Sequence, residues 1–362
     1  MSTEPMSGAP NVALGRSFDA YQSFVLATKM YWTRKLYPAL HKQYLDDART
    51  RNSPPASADA VAEHFQRDVD YALFGWFERH LQQLKYCGHH GLLPVHEAHR
   101  QTLERCLETP LPDGLLTLDD DLVAPDYFTR VDIHQHPGGV CGDSLAGIIY
   151  ERGARSTTPM LDRDLDLHFR FTKEVRAYLE PTRIVDLGCG FGKSTQPFYL
   201  EFKNAQTLGI DVSAPCLKLA AVTAAQLQAT NTTFKQGRAE HTGLPDSSRD
   251  LVTSTMLLHE MPARAVREVL SESYRLLEPG GWAIHLDFLA EEDAFARFTH
   301  YGHARRNNEP YMRPLNEMNL ASEHAQLGFS EFNIVPFEEY PDALASDNKI
   351  WRFPWVVIAA RK

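Results

Sequence analysis

Residues Val185 to Gly192, VDLGCGFG, constrain this chain more than any other stretch. Ahead of them Arg183 to Leu187 reads as a short buried strand, and Lys193 to Phe202 reads as a helix whose first turn tolerates Pro197. An acidic strand end running into alternating glycines lets a ligand approach bare backbone amides at a helix N-terminus. The spacing is G-x-G-x-G with an acid two residues upstream, unlike the G-x-G-x-x-G of a dinucleotide fold. Glycines at a strand-to-helix turn can serve the reversal alone, so the loop needs support from the rest of the chain.

Downstream residues supply that support. Thr207 to Ile210 is a second apolar run ending in Asp211, with Ser213 placed as an N-cap and Pro215 in a first helical turn. An acid at the tip of the second strand is what a nucleotide-type βαβ fold uses to hold both ribose hydroxyls. Thr232 to Gln236 suits a third strand and Asp250 to Met256 a fourth. Leu257-Leu258-His259-Glu260-Met261-Pro262 then leads into a helix that stops at Leu276-Leu277-Glu278-Pro279-Gly280-Gly281. Trp282 to Asp287 follows as a fifth strand.

From Arg183 to Lys362, about half the chain, these residues resemble a class I methyltransferase of the small-molecule type that uses S-adenosylmethionine. The resemblance is carried by VDLGCGFG at Val185 to Gly192, GID at Gly209 to Asp211, DLVTSTMLLHEMP at Asp250 to Pro262 and RLLEPGGWAIHLDF at Arg275 to Phe288, in the family's order and spacing. It implies an α/β fold: a Rossmann-like, seven-stranded, mostly parallel sheet with an antiparallel final hairpin. Phe332 to Phe337 and Trp355 to Ala360 suit that hairpin, both being runs of β-formers. The resemblance also implies S-adenosylmethionine as cofactor. Asp186, Gly188, Cys189 and Gly190 would surround its methionyl part, Asp211 would hold the ribose, and Val212 would lie against the adenine, with Ala239 and Met256 nearby. Many relatives place an Asp after the third strand to bind the adenine amine. Here the turn reads Arg238-Ala239-Glu240, so Glu240 or a backbone group takes that task.

The 362 residues exceed such a core by roughly 170. The expected division is a tail over 1–12, a mainly helical N-terminal domain over 13–160, and the methyltransferase domain over 161–362 with an insertion at 288–319. The N-terminal domain would serve as a substrate lid or as an oligomerisation element, a homodimer being the assembly in the second case. A net charge of -10 argues against a protein that coats nucleic acid, because phosphate binding needs clustered cations. Cys87, Cys106, Cys141, Cys189 and Cys216 are odd in number and include no C-x-x-C pair, as in reduced thiols of a cytoplasmic protein. No apolar run reaches the roughly 20 residues that span a bilayer, and MSTEPMSGAPN does not read as a signal peptide.

The N-terminal half reads as helical. Phe18, Tyr21, Val25, Thr28, Trp32 and Leu36 recur at the spacing of one buried helix face, Asn52 to Pro55 breaks the pattern, and Val61, Phe65, Val69, Leu73, Trp76 and Leu84 repeat it. Such stripes are core, or the lining of a substrate cavity. A shorter helix runs from Pro94 to Glu108, the pattern dissolves over Thr109 to Thr158, and Asp164 to Leu179 leads into the first core strand. His134 and His136 form an H-x-H beside Pro137-Gly138-Gly139. On a strand the two would face the same way and could share a metal, but no cysteine or carboxylate completes a ligand spacing, so no metal is assigned. The alternatives are packing histidines, or a loop, DIHQHPGGV, laid over the substrate end of the cofactor pocket.

In the insertion, Arg297, Arg305, Arg306 and Arg313 form a positive cluster with Tyr311 close by. Guanidinium groups grip carboxylates in bidentate fashion, so an acidic acceptor is one reading; pairing with the acidic N-terminal half is the other. Methyl transfer from a sulfonium gains most from positioning and desolvation, with a base where the nucleophile must lose its proton. His259 and Glu260 are the catalytic candidates, and His285 and Asp287 are second candidates at the substrate. His259 also stands where it could cap the helix beginning at Pro262. The acceptor is read as a small molecule, since no Asn-Pro-Pro-Tyr-type tetrapeptide follows the fourth strand and no RNA module is visible. Protein or RNA methylation is the alternative. A non-catalytic regulatory protein on the same scaffold is a further one, which the intact Asp186, Gly188, Gly190 and Asp211 oppose.

Overall fold

The computed structural model describes residues 10, 12–50, 55–155, 165–290, 292–345 and 350–362. The tail over 1–12, the break at 52–55 and the domain boundary at 160–161 fall wholly or mostly outside the described residues.

Eight strands form one sheet: β1 (Leu116–Thr117), β2 (Arg183–Leu187), β3 (Gln206–Asp211), β4 (Thr232–Gln236), β5 (Arg249–Thr255), β6 (Leu277–Phe288), β7 (Glu331–Pro336) and β8 (Trp355–Arg361). Their order is β1-β4-β3-β2-β5-β6-β8-β7. β1 to β6 pair in parallel, and β8 runs antiparallel between β6 and β7. The central strands read as near-continuous apolar runs because helices cover both faces of a parallel sheet. Ile184, Val185 and Leu187 of β2 and Leu251 and Val252 of β5 are all fully buried. Seven strands match the expected Rossmann-like sheet with its final hairpin. The eighth, β1, comes from the N-terminal half and adds to the β4 edge, with Leu116 opposite Phe234.

The N-terminal half is helical, as its periodicity predicts. Helices Arg16–Tyr31 and Tyr37–Thr50 are joined by a π-helical turn at Trp32–Leu36, followed by Ala58–Phe65, Val69–Tyr86, Leu92–Ala98 and Arg100–Leu107. The first stripe buries Phe18, Val25 and Trp32. The second is wrong in phase along Val69–Tyr86: Val69, Leu73, Trp76 and Leu84 are exposed, whereas Phe74, Glu78, Leu81 and Lys85 are buried. The inner face includes the charged Glu78 and Lys85, so hydrophobic spacing selects the outer one. The helix Ala146–Ala154, inside the stretch read as irregular, is the other departure. Its glycines are there for contact: a Cβ on Gly147 would meet the Pro215 carbonyl at 2.5 Å. Trp32, Phe65 and Phe74 share one apolar cluster with Leu286, Phe295, Trp351 and Trp355, so the two halves of the chain pack as a continuous core.

Candidate active site

A deep cavity opens at the C-terminal ends of β2, β3, β5 and β6, where an open parallel sheet presents its loops. One wall is the glycine loop, with Gly188, Gly190 and Gly192 all at positive φ. Gly188 and Gly192 serve packing, since added Cβ atoms would meet Leu257 and Ala220 at 2.5 and 2.8 Å. Gly190 differs: its Cβ would point into space, with only the Tyr150 ring at 3.9 Å. The Gly190 amide donates to Asp211 Oδ2 at 2.8 Å and the Ser213 amide to Oδ1 at 2.8 Å. Burial raises the Asp211 carboxyl to about 6 against these hydrogen bonds. Each carboxylate oxygen keeps a further lone pair.

Gly188, Cys189, Gly190, Asp211, Val212, Ala239, Glu240 and Met256 all line this cavity. Glu240 accepts from the Tyr127 hydroxyl at 2.7 Å and from Arg238, which fixes its carboxylate at the β4 end. Met256 closes β5 at φ 56, a left-handed conformation costly for a residue with a side chain and characteristic of sites that hold a ligand. Asp186 is placed differently from the rest. It lies behind the loop, where Oδ2 accepts from Ser194 and Thr195 at 2.6 and 2.7 Å while Oδ1 is buried without a partner. Burial raises its carboxyl to about 6.

The opposite wall carries the catalytic candidates. His259 Nδ1 bonds Asp287 Oδ1 at 2.6 Å, and Asp287 also accepts from the Leu258 and Phe288 amides, both at 2.8 Å. Burial disfavours the charged imidazole, but Asp287 outweighs it, so the His259 pKa stands above the ordinary value. Its ring lies over Phe288 with centroids 4.6 Å apart. No protein group bonds Nε2 among the described residues, and His259 lines the cavity. Glu260 lines it too and bonds His134 Nε2 at 2.8 Å.

His134 continues a buried chain of charge. Its Nδ1 bonds Glu309 at 3.1 Å, Glu309 lies 3.6 Å from His303 Nε2, and Glu78 binds His303 and Arg306. Burial works against the charged form of His134, yet the two glutamates raise it to about 10. His134 and Gln135 sit at φ 58 and 54, so the H-x-H is a left-handed turn and not a strand. His136 accordingly points elsewhere, stacked on Tyr86 with centroids 4.8 Å apart. Ile133, His134, Gly139 and Val140 of this loop line the cavity.

The insertion arginines do not reach the cavity. Arg306 is buried against Glu78 and the Tyr71 hydroxyl, and Arg313 pairs with Asp59 at 3.1 Å, so both bind the acidic N-terminal half. Arg305 lines a separate, shallow hollow beside Asp59 and Arg313. Tyr311 packs edge-on against Tyr127 outside the lining. His285 is buried in the sheet, bonded to Ser254 at 2.8 Å, and burial pushes it down to about 3. The substrate roles expected of Arg305, Arg306, Tyr311, His285 and His136 therefore find no cavity position, and Asp287 lies behind His259, to which it is bonded. Sequence reasoning missed Lys29, Glu78 and Lys85 from the N-terminal helices, and His303 and Glu309 from the insertion, all of which line the cavity.

Comparison with known proteins agrees with this architecture. Residues 184–281 match a family described as a methyltransferase domain. Curated relatives include a demethylmenaquinone methyltransferase of Lactiplantibacillus plantarum, 32% identical over 34% of this chain and 53% of its own. A ubiquinone biosynthesis O-methyltransferase of Leptothrix cholodnii is 26% identical over 32% of this chain and 48% of its own. A tRNA N(3)-methylcytidine methyltransferase of Drosophila melanogaster is 27% identical over 34% of this chain and 39% of its own. The chain thus spans about half the length of the curated relatives it matches. The motif order, the sheet topology and the family match together identify a class I, S-adenosylmethionine-dependent methyltransferase domain in this chain.

Proposed function

We propose that the protein transfers the methyl group of S-adenosylmethionine to a small-molecule acceptor held between the glycine loop and the N-terminal helices. The observation that carries this reading is the His259–Asp287 pair, whose imidazole lines the same cavity as the glycine loop. The residues suit the cofactor: Gly190 leaves room for a close approach, Asp211 has lone pairs for two ribose hydroxyls, and Met256 is held in a conformation that a ligand site explains. When bound, the cofactor supplies an electrophilic methyl group on a sulfonium. Asp287 orients the His259 imidazole, and Nε2 takes the acceptor's proton as its nucleophile becomes free to attack. Glu260, held by His134, positions the acceptor or bears its positive charge. Roofing by the N-terminal helices and the 133–140 loop favours a small acceptor over a polymer, although relatives of similar distance include both kinds.

Calorimetry with S-adenosylmethionine, followed by mass spectrometry of a cell extract treated with protein and cofactor, tests the proposal. A host metabolite gaining about fourteen mass units, absent with His259→Gln, is the expected result. Cofactor binding without any methylated metabolite would instead favour a regulatory protein on this scaffold.

A further inference from the structure

The cavity contains a buried lysine with no ion-pair partner among the described residues. Lys85 is 4% exposed and lines the cavity, yet its ammonium has a single hydrogen-bond partner, the Gly153 carbonyl at 3.2 Å. An ammonium carries three donors, and among the described residues no carboxylate lies within ion-pair distance of this one. The cavity's acids bond other groups: Glu260 and Glu309 hold His134, Glu78 holds His303 and Arg306, Glu240 holds Tyr127 and Arg238, and Asp211 holds two backbone amides, so that only the longer-range charge of Glu309 reaches Lys85. Lys29 lies near enough for its charge to bear on Lys85 and lines the same cavity. Around them stand the rings of Trp32, Tyr86, Phe288, Trp351 and Phe353.

We propose that the Lys85 ammonium, with Lys29 beside it, receives an anionic group of the methyl acceptor, whose planar apolar body lies against this aromatic lining. The inference rests on the methyl-transfer reading of the same cavity. It restores an acidic acceptor by a different route from the insertion arginines, which are committed to Glu78 and Asp59. A buried ammonium without an ion-pair partner is costly to keep, and an anion supplied by the ligand lowers that cost in the complex. Burial, with Lys29 adding to it and the Glu309 charge opposing, pushes the Lys85 amine well below the ordinary lysine value, and a bound anion favours its charged form.

The test is calorimetric titration of the full chain, saturated with S-adenosylhomocysteine, with benzoate, phenyl phosphate and uncharged benzamide. At least one anion should bind about tenfold or more tightly than benzamide, as a charge-assisted contact requires. Lys85→Met should erase that difference, leave S-adenosylhomocysteine affinity unchanged and not lower the Tm of the ligand-free protein. Benzamide binding as tightly as both anions would overturn the proposal, as would persistence of the difference in Lys85→Met. A loss of S-adenosylhomocysteine affinity in that variant would also overturn it, by assigning Lys85 to the methionyl carboxylate. Failure of the wild-type chain to bind S-adenosylhomocysteine is a separate result, which refutes the methyl-transfer reading itself.

Discussion

Asp211 does two things with one carboxylate. It ties the Gly190 and Ser213 amides and leaves lone pairs where the cofactor ribose is expected. Asp211→Ala should weaken S-adenosylmethionine binding by about tenfold to a hundredfold, the worth of charge-assisted hydrogen bonds, as read by calorimetry. His259 makes a sharper case. A base must be neutral to accept a proton, and Asp287 raises this imidazole above its ordinary value. The rate should therefore climb with pH through a pKa higher than that of a free histidine. His259→Gln should lower kcat by about a hundredfold to ten-thousandfold and abolish that rising limb. Asp287→Asn should shift the limb to lower pH if the carboxylate raises the pKa, a change that a purely structural role would not produce.

At the scale of elements, the glycine loop and the helix Val69–Tyr86 teach opposite lessons about reading a sequence. The loop was legible because its constraint is local: strand, turn and helix follow from residues adjacent in the chain. Gly190→Val, which puts a β-branched residue at φ +52 with its side chain in ligand space, should abolish cofactor binding while costing about 1–2 kcal/mol of stability in denaturant melts. Full ligand-induced stabilisation in that variant would mean that the loop is only a turn. The helix was not legible in phase. Its inner face reads Phe74, Glu78, Leu81 and Lys85, and two of those four are charged, Glu78 because it holds His303 and Arg306 from a distant part of the chain. Arg306 misled for the same reason. A basic cluster in sequence cannot reveal that Glu78, 228 positions earlier, already holds it.

The molecule as a whole depends on His134, which joins Glu260 of the core to Glu309 of the insertion and whose carbonyl accepts from Gln82 of the N-terminal half at 2.7 Å. Its folded pKa is raised to about 10 from 6.5, so its contribution to stability is complete below about 6.5 and is lost as pH rises through 10. Glu309 is held well below the ordinary carboxylate value by His134 and His303 despite burial, so its contribution is present above about 4.5 and is lost as the pH falls through the lower, folded value. His134→Gln should destabilise the protein by about 3 kcal/mol at neutral pH, because it strands buried carboxylates, and the alkaline loss of stability near pH 10 should fade with it. Urea melts at pH 7, 9 and 10.5 would measure both effects.

Strand β1 adds a consequence in time. Leu116 can pair only with Phe234, a residue made 118 positions later, and the parallel edge it joins exists only once β4 lies beside β3. The same holds for Trp32, whose aromatic neighbour Trp351 stands close to the end of the chain. During synthesis the N-terminal helices can pack on one another early, through Phe18, Tyr86, Leu92 and Leu103, but their contacts with β4, the insertion and the final hairpin must wait. The half of the protein that is made first therefore completes its packing last, and the cavity wall that carries Trp351 and Phe353 closes only with the final hairpin.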